Sequence, residues 1–363
     1  MIFNPFNFIK QNLNPSYLGV DIGTSSIKIV EVGQGENNPK LLNYALLENK
    51  GSLLRSNAVF QSSELKIFDK EMIEILRQMI EKMKPTTNQA IASIPVFSSF
   101  ITILNFPEMS DRELKQAIVF QAKQYVPMPL SEVALDWQKI AEYEDDQGLK
   151  TETILLIAIP QDLIKKYQKI FNEVGLSLLA LEIEPLSLTR SIIWKDKTPT
   201  ILVDIGNLTT SISFVEDGIL KFVGQTDFAG SSLTKSISTT LNINPLRAEE
   251  IKCQRGVLVG GADFELARSM FFILDLIINE IKKLEFNFAS NLKKNIKFER
   301  LILSGGGANL LGIENYFSHQ LNIPVIKAEP LNYIEYNLEI KPLIKELNPL
   351  LSVALGLAIR ELV

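Results

Sequence analysis

Asp21 and Asp204 each close a short apolar run, with a glycine two residues on and hydroxyls just beyond it. The first copy reads Asp21-Ile22-Gly23-Thr24-Ser25-Ser26-Ile27-Lys28-Ile29-Val30, the second Asp204-Ile205-Gly206-Asn207-Leu208-Thr209-Thr210-Ser211-Ile212-Ser213. Each predicts strand, tight turn, strand. The glycine lets the backbone come close to a ligand. Successive turn N–H groups can form a concave anion site, and Thr24, Ser25, Thr209 and Thr210 can add hydroxyl donors. Asp21 and Asp204 are unsuited to touching a phosphate chain, but they can hold water on a Mg²⁺ that neutralises it. Lys28 can supply a fixed positive charge. One Asp-x-Gly-Thr string alone reads as an ordinary β-turn. Two in the same context, one per half, predict a duplicated two-lobed fold with a nucleotide between the lobes.

Three further groups could complete such a site. Ser304-Gly305-Gly306-Gly307-Ala308-Asn309 follows the apolar run Leu301 to Leu303 and precedes a helical pattern. A glycine turn there lets a flat or anionic ligand reach backbone and helix N-terminus, a floor for an adenosine, or else forms a plain connection. Glu249 and Lys252 share a helical face at i, i+3. They could hold ribose hydroxyls and cover an adenine, or form a solvated ion pair. Glu184, ahead of Pro185, could position a water for attack on a γ-phosphate, or offset the charge of a helix start.

The rest of the chain narrows the class. At 363 residues it is long enough for two or more domains. A net charge of −5 argues against a general nucleic-acid binder. Cys253 is the single cysteine, which excludes an intrachain disulfide and a cysteine metal cluster and suits a reducing cytoplasm. His319 is the single histidine, in a polar helical stretch, and reads as surface structure. The most apolar run, Met270 to Ile278, contains Asp275 and is too short to span a membrane. Residues 1–14 carry Phe3, Phe6, Phe8 and Ile9 without a basic n-region or cleavage site. They read as a disordered or packed arm and not as a signal peptide.

Periodicity supplies the scaffold. Strands are expected over 17–45 with a break at 33–40, and over 90–94, 100–106, 133–141, 153–159, 178–183, 201–203 and 301–303. Helices are expected over 69–84, from a Ser110/Glu113 capping box to Pro127, and over 161–173, 184–194, 231–241, 245–252 and 262–292. Two more run from about 310 to 320 and over 349–362, the last with Ala354, Gly356 and Ala358 for close packing. A turn is expected over 144–148. The expected organisation is a first lobe from 1–95, 176–198 and 345–363, an inserted subdomain over 96–175, and a second lobe over 199–344 with a helical part at 241–299.

Taken together, these motifs resemble the actin-like ATPase superfamily, an α/β fold of two duplicated ribonuclease H-like lobes. Asp21 to Lys28 resembles its first phosphate motif and Asp204 to Thr210 its second. Glu184-Pro185 and Val353 to Ala358 resemble its two connecting motifs, and Leu303 to Gly307 its adenosine motif. Ala248 to Lys252 is similar to the ribose and adenine segment of bacterial members. The insertion lies where the FtsA and PilM families carry theirs, and Gln121 to Met128 resembles a segment typical of the PilM family of type IV pilus assembly proteins. The resemblance implies ATP and Mg²⁺ as ligands. Nucleotide would contact Gly23, Thr24, Ser25, Ser26, Lys28, Gly206, Asn207, Thr209, Thr210, Glu249, Lys252, Gly305, Gly306, Gly307 and Asn309. Asp21 and Asp204 would hold the ion through water, and Glu184 would be the catalytic carboxylate. It also implies a place at the cytoplasmic side of the inner membrane, where the short N-terminal peptide of a PilN-like protein sits in a groove beside the insertion and other assembly-platform proteins are bound. Self-association is left open, since actin relatives polymerise. The chain ends at Val363 without an FtsA-type terminal amphipathic helix or a GspL-type span, which makes those two families, and an actin-like kinase, the alternative readings. The chaperone-type catalytic lysine has no counterpart, so hydrolysis is expected to be slow at most.

Overall fold

The computed structural model describes residues 15–48, 65–144, 148–257, 264–292 and 296–363. The arm at 1–14, the middle of the 144–148 turn and residues 262–263 lie outside that set. The described strands are β1 (Ser16–Ile22), β2 (Ser26–Gln34), β3 (Pro39–Glu48), β4 (Gln89–Ile94), β5 (Phe100–Pro107), β6 (Val133–Glu144), β7 (Lys150–Pro160), β8 (Ser177–Ile183), β9 (Thr200–Ile205), β10 (Thr210–Glu216), β11 (Ile219–Thr226), β12 (Arg300–Ser304) and β13 (Val325–Lys327). The helices are α1 (Leu65–Met83), α2 (Asp111–Tyr125), α3 (Gln161–Val174), α4 (Glu184–Leu188), α5 (Gly230–Leu241), α6 (Pro245–Arg255), α7 (Phe264–Leu292), α8 (Ile313–Leu321) and α9 (Ile344–Ala358).

The two expected hairpins head two sheets of one topology. The order is β3-β2-β1-β4-β8 in the first lobe and β11-β10-β9-β12-β13 in the second. In each, the hairpin's first strand runs antiparallel to its second and parallel to the next strand inward. The inner strands read as continuous apolar runs because both faces are covered. One face of the second sheet packs Val203, Ile205, Ile212 and Phe214 against Met270, Leu274, Ile277 and Phe288 of α7. The other face carries Leu202, Val215 and Ile302 into a core shared with Ile91, Leu188, Ile192, Val353 and Leu357 of the first lobe. The lobes therefore meet through apolar contact below the cleft.

The insertion folds as a three-stranded antiparallel sheet, β5-β7-β6, covered by α2. The Ser110/Glu113 capping box forms as expected, with Glu113 N donating to Ser110 Oγ at 3.4 Å and Ser110 N to Glu113 Oε2 at 3.1 Å. Its last helix, α3, sends Tyr167, Ile170 and Phe171 into the first lobe's own core beside Leu76 and Met79. Its sheet also reaches the second lobe. Ile140 and Leu155 join the shared core with Leu220, and the buried Lys221 of β11 donates to the Ile140 carbonyl at a bulge in β6.

The last helix differs from expectation at both ends. It begins at Ile344 and ends at Ala358, with Pro349 inside it. A proline usually marks a helix start or break, but here neighbours hold the preceding turn: Asn348 Oδ1 accepts from Leu331 N at 3.0 Å, and Leu347 and Leu351 are buried. The helix after Pro185 also changes pitch. α4 passes into a π-helical turn over Thr189–Ile193, which seats the Arg190 guanidinium on Glu182 at 2.6 and 2.8 Å and on the Gly356 carbonyl at 2.8 Å. α4 and α9 cross at backbone contact distance: a Cβ on Gly356 would lie 1.9 Å from the Ser187 carbonyl oxygen.

Candidate nucleotide and metal site

Both hairpins end in the same turn. Gly23 N donates to Ser26 O at 3.0 Å, and Gly206 N to Thr209 O at 3.0 Å. Directly paired residues of neighbouring strands present their side chains on one face. That rule builds a matching row across each sheet. In the first lobe, Asp21 pairs with Lys28 on β2, with Nζ 2.9 Å from Oδ2, and accepts from Ser93 Oγ of β4 at 2.9 Å. In the second lobe, Asp204 pairs with Ser211 on β10 and with Ser304 on β12. Each row has an aspartate at its centre and a serine on the parallel strand.

Glu184 stands at the first position of α4, at the end of β8, and accepts from the Val96 N–H. The four charged groups feel one another. Burial, then Asp21 and Asp204, push the Glu184 carboxyl well above the usual range, against Lys28 and the Val96 hydrogen bond. Burial pushes Asp204 up to about 6, with Lys28 opposing, Asp21 adding and Ser304 opposing. For Lys28, burial opposes the charge, but Asp21 at hydrogen-bond distance, Asp204 and Glu184 raise the ammonium pKa overall. Three carboxylates sharing one such lysine carry surplus negative charge, which a cation would relieve. Among the described residues no three His, Cys, Asp or Glu side chains converge as a metal cage. Asp21 and Asp204 suit an ion whose remaining ligands are water or phosphate oxygens.

The glycine turn at 305–307 closes the opposite wall. Gly305 has φ +78°, and a Cβ there would lie 2.7 Å from Asp204 Oδ1 and 2.6 Å from the Ile205 carbonyl oxygen. Its N–H donates to Pro349 O at 3.0 Å, tying the turn to α9. Glu249 and Lys252 are also brought here, and not as a solvated surface pair. Lys252 is buried, 2.7 Å from Glu249, and donates to Thr234 Oγ1 at 3.0 Å and to the Gly230 carbonyl at 3.2 Å. Gly230 N in turn donates to the Gly206 carbonyl at 3.0 Å, and Ser231 N to Asn207 O at 2.8 Å, so the pair stands behind the second turn. Thr24, Ser25, Ser26 and Thr209 are half-buried around their turns, and Gly306 is exposed. Gly307 lies against Ile205, where a Cβ would sit 2.3 Å from Cγ2.

Two expected residues have other partners. Thr210 Oγ1 donates to Phe228 O at 2.7 Å, and Asn309 Nδ2 donates to Glu346 O of α9 at 3.1 Å. Thr210 is fully buried in β10. His319 lies exposed near the end of α8, as expected. Ser93, Ser211 and Thr234 carry no signal of their own in the sequence, and Ser304 is legible only as the start of the glycine turn. The usable signal was the repeat itself: laying β4 and β12 beside the two hairpins puts Ser93 and Ser304 at equivalent places.

A family model described as type IV pilus assembly protein PilM matches residues 19–362. Among solved structures, the PilM-PilN type IV pilus biogenesis complex is similar at TM-score 0.79 and 20% identity, over 95% of this chain and 98% of that one. MreB5 of Spiroplasma citri bound to AMPPNP is similar at TM-score 0.52 and 13% identity, over 94% of each chain. The MamK double helical filament is similar at 0.54 and 14%, over 96% and 98%. These likenesses establish an actin-like fold. The cell division protein FtsA of Enterococcus faecalis is 24% identical over 254 residues, 66% of this chain and 58% of that protein. FtsA of Buchnera aphidicola is 26% identical over 209 residues, 49% of each. The chain thus spans 49–58% of the length of these curated relatives.

Proposed function

Because this chain belongs to the family of the type IV pilus assembly protein PilM, we propose that it is an ATP-binding assembly protein of a pilus machine, held at the inner membrane by the cytoplasmic N-terminal peptide of a PilN-like partner. The observation that carries the nucleotide part is the pair of matching rows around Asp21 and Asp204, close enough that their charges and those of Lys28 and Glu184 act on one another. The residues fit the ligand. The two glycine turns present N–H groups and hydroxyls to a phosphate chain, and Gly305 and Gly307 of the glycine wall leave no room for a side chain. The acidic trio calls for a cation. Mg²⁺ supplies charge neutralisation, and Asp21 and Asp204 are the residues that would hold its water. Glu249 and Lys252, braced by Thr234, would face the ribose and base.

Burial and two neighbouring aspartates push the Glu184 carboxyl well above its usual range. The chaperone-type catalytic lysine has no counterpart here, so turnover is slow at most, and ATP acts chiefly as a conformational ligand that biases the lobes. The partner peptide docks beside the insertion. Support comes from the solvent-facing α2 surface, where Phe120 is 66% exposed next to Met109 and Pro107 along a hollow of about 590 Å³. No described helix is long and apolar enough to cross a membrane.

The test is one incubation of the purified full chain with Mg-ATP and with a tagged peptide matching the cytoplasmic N-terminus of the neighbouring PilN-like protein. The expected result is bound nucleotide recovered mainly as ATP, together with peptide capture. Rapid multiple turnover to ADP would replace this reading with an ATPase, ATP-dependent sedimentation would replace it with a filament protein, and absence of both nucleotide and peptide would refute it.

A further inference from the structure

The strand that edges the second lobe's sheet and the strand that edges the insertion's sheet each carry one residue too many. In β11, Leu220 pairs with Val215 and Phe222 with Phe214, so Lys221 has no place in the ladder. In β6, Lys139 pairs with Ile154 and Ala141 with Thr153, so Ile140 has none. The two extra residues meet, with the Lys221 ammonium donating to the Ile140 carbonyl. A bulge frees a residue from its ladder and re-aims it; here two bulges aim at each other. Lys221 is 6% exposed. A buried ammonium is costly unless it is bonded, and an apolar residue of similar volume often seals such an interface as well or better. What the charge adds is position. It fixes one point of β6 against one point of β11, where apolar contact alone lets the two surfaces slide.

The surroundings make this point a place of transmission. The insertion's sheet lies between two bodies. On one face, Leu104, Ile154 and Leu156 pack beneath Ile118 and Ala122 of α2. On the other, Ile140 and Leu155 enter the core shared by the lobes, and Ile103 packs against the second lobe's own core. The insertion is also fastened to the first lobe, through Tyr167 and Phe171 of α3 and through Ile157 and Ile159 beside Ile94 and Ile183. Both lobes therefore hold it, and α2 stands one sheet away from β11.

We propose that the Lys221–Ile140 contact is a latch that carries the relative position of the lobes into the insertion, so that a ligand closing the cleft alters the α2 surface on which the partner peptide docks. This rests on the nucleotide and peptide readings above. A ligand held between Asp21 and Asp204 touches both lobes and favours one separation of them. β11 moves with the second lobe, because it is paired to β10 along its length. With the latch made, β6 follows β11; with the latch broken, the insertion stays with the first lobe. The linkage is reciprocal, so the peptide changes nucleotide affinity by the factor with which nucleotide changes peptide affinity.

The experiment titrates the PilN-like peptide against the full chain with and without Mg-ATP, for wild type and Lys221→Met, and follows hydrogen exchange in β6 in the same samples. In wild type, Mg-ATP is expected to shift peptide affinity by about fivefold or more, and the peptide to shift ATP affinity equally. Exchange at the β6 bulge is expected to change when Mg-ATP binds. In Lys221→Met each ligand still binds alone, and the shift falls below about twofold. A shift kept in full by Lys221→Met overturns the latch and leaves the nucleotide and peptide readings standing; so does a wild type that binds both ligands without any shift. If Lys221→Met does not fold, exchange in wild type decides: a β6 bulge unchanged by bound Mg-ATP overturns the proposal, and a changed one supports it. A wild type that fails to bind either ligand removes the readings beneath it.

Discussion

Lys28→Met is the substitution that probes the acidic trio most directly. The lysine and Asp21 side chains are 13% and 5% exposed and 2.9 Å apart. Removing one partner of a buried pair destabilises by about 3–5 kcal/mol. Burial already opposes the Lys28 charge, so the lower end, about 3 kcal/mol near pH 8, is the figure to expect. With an unfolding entropy of about 2.1 cal/mol/K per residue over 363 residues, the unfolding temperature falls by about 4 °C. The sign with pH follows from the neighbours. Glu184 and Asp204 have folded pKa values above the ordinary carboxylate range. The folded protein therefore holds protons that the unfolded chain has released, and the cluster's contribution to stability rises as pH falls through about 6 toward 4. Lys28 holds both acids down, so its loss raises them further and extends that window upward. The penalty is then largest near pH 8 and shrinks toward pH 5. Asp21→Asn added to Lys28→Met makes the pair neutral and recovers more than half of the loss. Thermal unfolding in chelator across this range, for wild type and both variants, checks the argument. A penalty independent of pH, or a double variant no more stable than the single, would refute it.

Four other outcomes follow from named contacts. Gly305→Ala forces a Cβ to 2.7 Å from Asp204 Oδ1 at φ +78°; it should cost about 2–4 kcal/mol and abolish nucleotide retention, read by denaturant unfolding and dialysis. Lys221→Met removes the donor to the Ile140 carbonyl and should change global stability by less than about 1.5 kcal/mol. Hydrogen exchange around the β6 bulge should quicken while β12 stays protected. Phe120→Ala, on the exposed α2 surface, should leave unfolding unchanged and weaken peptide capture by about 1–3 kcal/mol in a titration. Asp196, bonded to the Thr198 N–H and hydroxyl and to Arg300, is lowered to about 2. Its stabilisation is fully present above the unfolded value near 4 and is lost as pH falls toward 2. With about a third of the side chain exposed, Asp196→Asn should cost only about 1 kcal/mol at neutral pH.

The legible features were the ones with spacing. The two Asp-x-Gly hairpins, the glycine turn at 305–307 and the capping box at Ser110 and Glu113 were all readable, because each is a local backbone requirement written in residue type. The two-lobed architecture was readable because the motif occurs twice. Ser93 and Ser211 were not, since a lone serine in a strand has no pattern, and its meaning comes from the strand beside it. The i, i+3 spacing of Glu249 and Lys252 left a solvated pair open beside the ribose and adenine role, because spacing says nothing of what covers the helix; α5 does, through Thr234 and Gly230. Pro349 was taken as a helix start because local chemistry favours it there, and buried neighbours at Leu347, Asn348 and Leu351 overrode that preference.

The contact between β1 and α9 also governs when the protein can become native. Gly19 lies against the α9 backbone, with a built Cβ 1.9 Å from the Ala354 carbonyl oxygen, and the glycine wall of the cleft hangs from Pro349 of the same helix. These partners are separated by 335 positions, counted from 19 to 354. A ribosome therefore exposes β1 and its apolar neighbours long before their cover exists, and closing so distant a contact is slow. The second lobe, whose sheet and α7 are contiguous over 200–327, can settle first, while the first lobe waits with an open flank. In the cell that interval is when a chaperone would bind this chain, and truncations within α9 should yield a protein that accumulates unfinished and not one that is merely less stable.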